Sequence, residues 1–230
     1  MKAQILGVGV DILNMQESLD AVDLLIKNKK PSLVATANAE MLMLATHDFN
    51  LKNILNSAAL VVPDGAGTVW AARHLGYNMP ERVAGVDLVT NLLHKNYKFY
   101  FFGAAEGVAK KAAEKFPNVV GTRNGFFNKD DEPQIISDIN SANADILLVG
   151  LGVPKQEVWI SENLKNLNVP VCIGVGGTFD VLAGNVKRAP LWMQQAKLEW
   201  LFRALLQPSR AGRLVALPKF VFKVYNQGTK

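Results

Sequence analysis

Short apolar runs of strand length recur along this chain. Between them lie stretches in which apolar residues return every three or four positions. The runs are "AQILGVGVDIL", "SLVATAN", "ALVVPDG", "KFYFFGA", "NVVGTRNGFF", "DILLVGLG" and "VPVCIGVGG". Several are apolar almost throughout, the pattern of parallel strands covered on both faces. Helical spacing marks residues 16–28, 39–56, 67–75, 86–95, 106–115, 133–141 and 156–167. Strand alternating with helix predicts an α/β fold, a Rossmann-like and mainly parallel sheet with helices on both faces. No internal repeat or low-complexity linker interrupts it. The pattern changes near the C-terminus, which predicts a core over residues 1–190 and a basic, amphipathic helical appendage over residues 191–230.

The strand ends share a character. "TANAE", "PDGAG", "FFGAAEGVA", "VGLGVPKQE" and "GVGGTFD" each put glycine or a small polar residue where a strand hands over to a loop or helix. Glycine lets a ligand approach the backbone, and a helix N-terminus offers unpaired N–H groups to phosphate. Repeated along one chain, such junctions predict a ligand cleft across the carboxyl edge of the sheet. Asp64 in "VVPDGAG" reads either as a turn residue or as a reactive carboxylate at a strand end. No G-x-G-x-x-G with a suitably placed acid occurs, and no G-x-x-x-x-G-K-[ST], which disfavours a dehydrogenase or a P-loop enzyme. There is no G-x-S-x-G elbow. His47, His74 and His94 are far apart in polar helical contexts. No D-x-D, H-x-x-x-H or C-x-x-C supplies divalent-ion spacing, so no metal and no cofactor is expected.

Composition narrows the class. Of 230 residues, 49% are hydrophobic and 20% charged, enough for a sizeable core. No apolar run approaches the ~20 residues that span a bilayer, and the N-terminus is not a convincing signal peptide. The single cysteine, Cys172, lies in an apolar run, so a buried thiol and a cytoplasmic setting are expected. The net charge of +5 is uneven: residues 187–230 carry +8 and the rest −3. That distribution argues against nucleic acid across the whole surface and for an anionic partner met by the tail.

Taken in order, "TANAEM", "VVPDGAG", "ERVAGVDL", "FFGAAEGVA", "VGLGVPKQE", "GVGGTFDVLAG", "RAPLWM" and "LEWLFRALLQPSR" resemble the signature series of the WecG/TagA/CpsF family, glycosyltransferase family 26. The resemblance covers nearly the whole chain. It implies a metal-independent, inverting enzyme of the Rossmann-like GT-E type. Such an enzyme moves N-acetylmannosamine, or its uronic acid, from a UDP-sugar to N-acetylglucosamine on a polyprenyl (undecaprenyl) diphosphate during teichoic acid, common-antigen or capsule assembly. By the same resemblance Asp64 is the general base, with Thr36 and Asn38 beside it and Arg82 facing acceptor or phosphate. Gly152, Gln156, Glu157, Gly176, Gly177 and Asp180 fall in loops expected to bind the donor, and Gly103 to Gly107 completes the expected cleft.

From Trp192 onward aromatic and aliphatic residues interleave with cations, and Pro208 and Pro218 are expected to divide the tail into short helices. The segment before Pro208 reads equally as a helix packed on the core. After Pro208 it suits an interfacial element on an anionic leaflet, placing the protein peripherally on the inner face of the membrane. The resemblance implies that a tail arginine, Arg213 or else Arg210, counters charge on the leaving UDP. A second class of function stays open here: a nucleotide-binding regulatory module without turnover. The residues do not separate UDP-N-acetylmannosamine from its uronic acid or another UDP-hexose, and a homo-oligomer is left open.

Overall fold

The computed structural model of the chain describes residues 1–190, 192, 193, 199, 202 and 216–228. The chain opens with β1 (Lys2–Ile5) and β2 (Val8–Asp11), then α1 (Met15–Asn28) and β3 (Ser32–Ala37). Two short helices, α2 (Ala39–Ala45) and α3 (Phe49–Ser57), lead to β4 (Leu60–Pro63). Helices α4 (Ala66–His74) and α5 (Gly85–Leu93) precede β5 (Phe99–Gly103), α6 (Val108–Ala113) and β6 (Val119–Arg123). The remainder of the core is α7 (Glu132–Ser141), β7 (Ile146–Gly150), α8 (Lys155–Asn163), β8 (Val171–Gly174) and α9 (Thr178–Leu182). In the tail, α10 spans Ala216–Gln227.

The expected α/β architecture is present. Six strands pair in parallel in the order β4-β3-β8-β7-β5-β6. Side chains alternate across this sheet with period two, and both faces are covered. Leu147 and Val149 of β7 join one apolar cluster, with residues of α2, α3, α4, α7 and α8. Ile146 and Leu148 join the other, with residues of α1, α5, α6 and α9. Two-sided burial explains the unbroken apolar runs. Each fully buried aliphatic or Phe side chain contributes about 1.5–3 kcal/mol. Cys172 lies in the interior, where burial pushes its thiol up to about 12.

Three local expectations are corrected. The run "AQILGVGVDIL" is not one strand but an antiparallel hairpin, β1–β2, which turns at Leu6 and Gly7, both at positive φ. The helix expected over 39–56 breaks after Ala45, because Asp48 caps a new one by accepting from the Leu51 N–H at 2.9 Å. Pro218 does not end the tail helix but lies within α10, near the start of its described residues, and Pro208 lies outside the described residues.

That helix packs on the core. Phe220 and Val224, one turn apart, belong to the cluster that includes the β1–β2 hairpin. Gln227 donates to the Gln4 carbonyl and accepts from the Leu6 N–H, so the helix end is tied to the hairpin. Lys223 reaches Thr46 Oγ1 at 2.8 Å. His74 stacks on Trp70 and lies 4.2 Å from the Tyr225 ring, so it is a contact of the tail rather than a solvated helix residue.

Candidate active site

After β4 the chain crosses to β5 on the far side of the sheet, and it later returns to insert β8 beside β3. The carboxyl ends of β4, β3, β8 and β7 therefore border a crevice, the position that open α/β sheets give their ligands. The cleft found there is lined by residues from each of these ends.

Thr36, near the end of β3, is buried, and its hydroxyl donates to the Gly174 carbonyl of β8 at 3.1 Å. The hydroxyl proton is thereby spent, and the oxygen lone pairs are what Thr36 presents to the cleft. Asn38 caps α2, its Oδ1 accepting from the Met41 N–H at 2.9 Å. Its Nδ2 has no partner among the described residues and is the donor it can aim into the cleft. Asp64 follows β4. Its N–H donates to the Ala37 and Val62 carbonyls, and its own carbonyl accepts from Thr68 Oγ1. Thr68 also donates to Ala37. The "PDGAGT" run thus fixes the backbone on both sides of the Asp64 carboxylate, which lines the cleft.

On the other side stand Gly152 after β7, Gln156 on α8, Gly176 and Gly177 after β8, and Asp180 on α9. Gln156 is almost fully buried. Its Oε1 accepts from the Gly176 N–H at 2.9 Å, and its Nε2 donates to Glu157 Oε1 at 2.7 Å. Glu157 itself does not line the cleft. It is fully buried behind Gln156, and its Oε2 meets no hydrogen-bond partner among the described residues. Burial pushes its carboxyl up to about 7, against the opposing pull of the hydrogen bonds from Gln156 and its own backbone. A direct contact from Glu157 to uracil, ribose or sugar does not fit this placement.

Two other expected residues lie elsewhere. Gly103 is not in the cleft; a Cβ there would lie 2.5 Å from the Gly150 carbonyl carbon, so close strand approach is what requires glycine. Residues 104–107 are absent from the lining as well. Arg82 does not line the cleft either. Its guanidinium pairs with Glu199 at 2.8 Å, and Glu199 also faces Arg188, which forks onto Asp87. Arg213 and Arg210 lie outside the described residues. Sequence reasoning missed Glu40, in "TANAE", and Gly85, both of which line the cleft. The methyl and hydroxyl of Thr36 would abut any Cβ at Gly85, so the "VAGVD" glycine lets α5 close on β3. Among the described residues no group of three His, Cys, Asp or Glu side chains is arranged to hold a metal ion. Nor is any described helix long and apolar enough to cross a membrane.

The chain is 34% identical over 212 residues to a Bacillus subtilis (strain 168) protein named N-acetylglucosaminyldiphosphoundecaprenol N-acetyl-beta-D-mannosaminyltransferase, a match covering 88% of this chain and 82% of that protein. A Staphylococcus aureus (strain NCTC 8325 / PS 47) protein of the same name is 32% identical over 234 residues, covering 97% of this chain and 92% of its own length. The profile of the glycosyl transferase WecG/TagA/CpsF family matches residues 3–230. With its parallel sheet and its cleft at the strand ends, the chain belongs to the WecG/TagA/CpsF family of glycosyltransferases.

Proposed function

We propose that this enzyme transfers N-acetylmannosamine from UDP-N-acetylmannosamine to N-acetylglucosamine carried on undecaprenyl diphosphate, with inversion at the anomeric carbon. The step serves synthesis of wall teichoic acid or a related surface polymer. The observation that carries this reading is the cleft itself. It sets the Asp64 carboxylate and the Gly176–Gly177 loop on the two strands that flank Thr36, in a chain whose relatives bear the transferase name.

Asp64 takes the proton from the acceptor hydroxyl as that oxygen attacks the anomeric carbon. The bond from that carbon to the UDP oxygen breaks, and the diphosphate leaves with the electron pair. The backbone at Gly176 and Gly177 accommodates the donor, and the Asn38 amide orients the sugar. Thr36 accepts from a sugar hydroxyl, the role its own committed proton leaves open. Arg213, or else Arg210, counters charge on the departing UDP. Arg82 holds Glu199 of the tail against the core.

The lipid carrier brings the acceptor to a membrane surface, and the tail suits peripheral contact with the inner leaflet. Outward of its buried stripe, α10 exposes Phe222, Tyr225 and Val221 beside the cation Lys219. The test is a donor screen against a short-chain lipid-linked N-acetylglucosamine, reading UDP release. Release specific to UDP-N-acetylmannosamine is expected. Tight UDP binding with no transfer from any UDP-hexose would overturn the reading.

A further inference from the structure

We propose that Glu157 is a positioning residue: its buried carboxyl orients the Gln156 carboxamide and, through it, the Gly176 backbone amide at the wall of the cleft. This rests on the cleft being the donor site proposed above. The chain of contacts is short and directional. Gln156 Nε2 donates to Glu157 Oε1 at 2.7 Å, and Gln156 Oε1 accepts from the Gly176 N–H at 2.9 Å. A flipped carboxamide would set oxygen against oxygen at one end and N–H against N–H at the other. Glu157 therefore selects the amide orientation that Gly176 requires. The space for the relay is made by Gly174, where a Cβ would lie 2.7 Å from Gln156 Nε2 and 2.8 Å from Glu157 Oε1. Gly174 also accepts from Thr36, so the relay and the Thr36 contact meet at one strand end.

The carboxyl stands in an uncharged setting. Helix α8 packs on β3, β7, β8 and α3. Of these, β3 and β7 carry no titratable side chain, and β8 carries only Cys172, kept neutral by burial. Helix α3 contributes Lys52, whose Nζ lies against Gly7 of the hairpin turn. Lys155 and Glu162 of α8 itself are exposed. With Oε2 unpartnered among the described residues, ionisation near pH 7 strengthens the Gln156 bond but places a bare negative charge behind the donor loop, which opposes an anionic donor as pH rises.

The experiment follows the Gly176 backbone amide by NMR between pH 5.5 and 8.5 in the full-length protein and in Glu157→Gln and Glu157→Leu. In the parent its signal titrates with a midpoint near 7. In Glu157→Gln, whose carbonyl still accepts from Gln156, the signal stays near the low-pH parent position throughout. In Glu157→Leu it is displaced at every pH. A parent signal that does not titrate, or one that titrates alike in Glu157→Gln, overturns the proposal even where Glu157→Leu fails to fold. UDP calorimetry on the same proteins gives the functional consequence. Glu157→Leu is expected to weaken UDP roughly tenfold, about what one well-made hydrogen bond contributes. Above pH 8, Glu157→Gln is expected to bind UDP more tightly than the parent, a comparison in which the ionisation of UDP itself cancels. Equal affinities across all three proteins would remove Glu157 from donor positioning. A parent that binds no UDP would refute the proposed function, while the amide titration still decides the relay.

Discussion

Replacing Glu157 by Gln changes the dependence of stability on pH, and the structure sets both its sign and its size. In the fold this carboxyl ionises near 7 rather than at its ordinary 4.5, because burial penalises the charge. Between those two values the folded state holds a proton that the unfolded chain has released. Stability therefore falls as pH rises through that window, is unaffected by this group well below it, and levels off above it. The gap between the two values corresponds to about 3 kcal/mol at full extent. Glutamine has the same shape and no charge to bury, so the variant lacks this loss. Its intrinsic offset from the parent is the same at every pH, which makes the change in the difference the diagnostic quantity. From pH 5 to pH 8 the variant should gain about 2–3 kcal/mol on the parent. For a chain of this size that is roughly 4–12 °C in melting temperature. Urea unfolding of both proteins at several pH values measures it, since every other titrating group cancels in the difference. Parallel stability–pH curves would show that the carboxyl reaches water or a counter-charge on ionising, and would refute the burial argument.

The fold was legible where one physical rule acts alone. Two-sided burial writes unbroken apolar runs, and these located the strands of the parallel sheet. It failed where a run conceals a reversal: Gly7 inside "ILGVGVDIL" is a turn signal only if the run is known to be too long for one strand. Helical periodicity likewise carried over the break at Thr46–Asp48, although Asp48 supplies a capping side chain. At the cleft, strand-end position was the informative signal. It marked the stretches that hold Thr36, Asn38, Asp64, Gly152, Gln156, Gly176, Gly177 and Asp180, four separate parts of the chain, while the family resemblance assigned the individual residues. Direction along a helix was not legible. Gln156 and Glu157 are adjacent and both polar, yet about 100° of rotation per residue turns one to the cleft and buries the other behind it. Partners distant in sequence were also hidden. Nothing near "ERVAGVD" announces that Arg82 pairs with a glutamate 117 residues later. In the tail, the stripe that reads as a membrane face also reads as a core face. The structure divides it, with Phe220 and Val224 turned inward, Phe222 outward, and Tyr225 half exposed against His74.

That division makes Phe220→Ala a test of the tail's structural share. A buried Phe truncated to Ala costs about 3–5 kcal/mol, measurable by urea unfolding, and a loss below about 1 kcal/mol would mean that α10 is not docked in solution. Arg213→Ala separates anchoring from chemistry. Vesicle partitioning should weaken by only about 1 kcal/mol, while transfer to a soluble acceptor analogue should fall by roughly 10²–10³-fold, and normal turnover would leave the tail as an anchor. The final prediction concerns Asp64→Asn. The Asp64 N–H donates to Ala37 and Val62, and its carbonyl accepts from Thr68. These are main-chain bonds that the substitution leaves in place, so the strand end and the donor loop keep their positions. UDP affinity should therefore change by less than about threefold, below 0.7 kcal/mol. On the proposed mechanism, what disappears is the group that accepts the acceptor's proton, and loss of a general base costs about 10²–10⁴-fold in rate. Turnover at saturating acceptor, measured beside UDP calorimetry on the same protein, distinguishes that loss from general damage to the site. Near-normal turnover would remove Asp64 as the base and shift the search to Glu40, another carboxylate that borders the cleft.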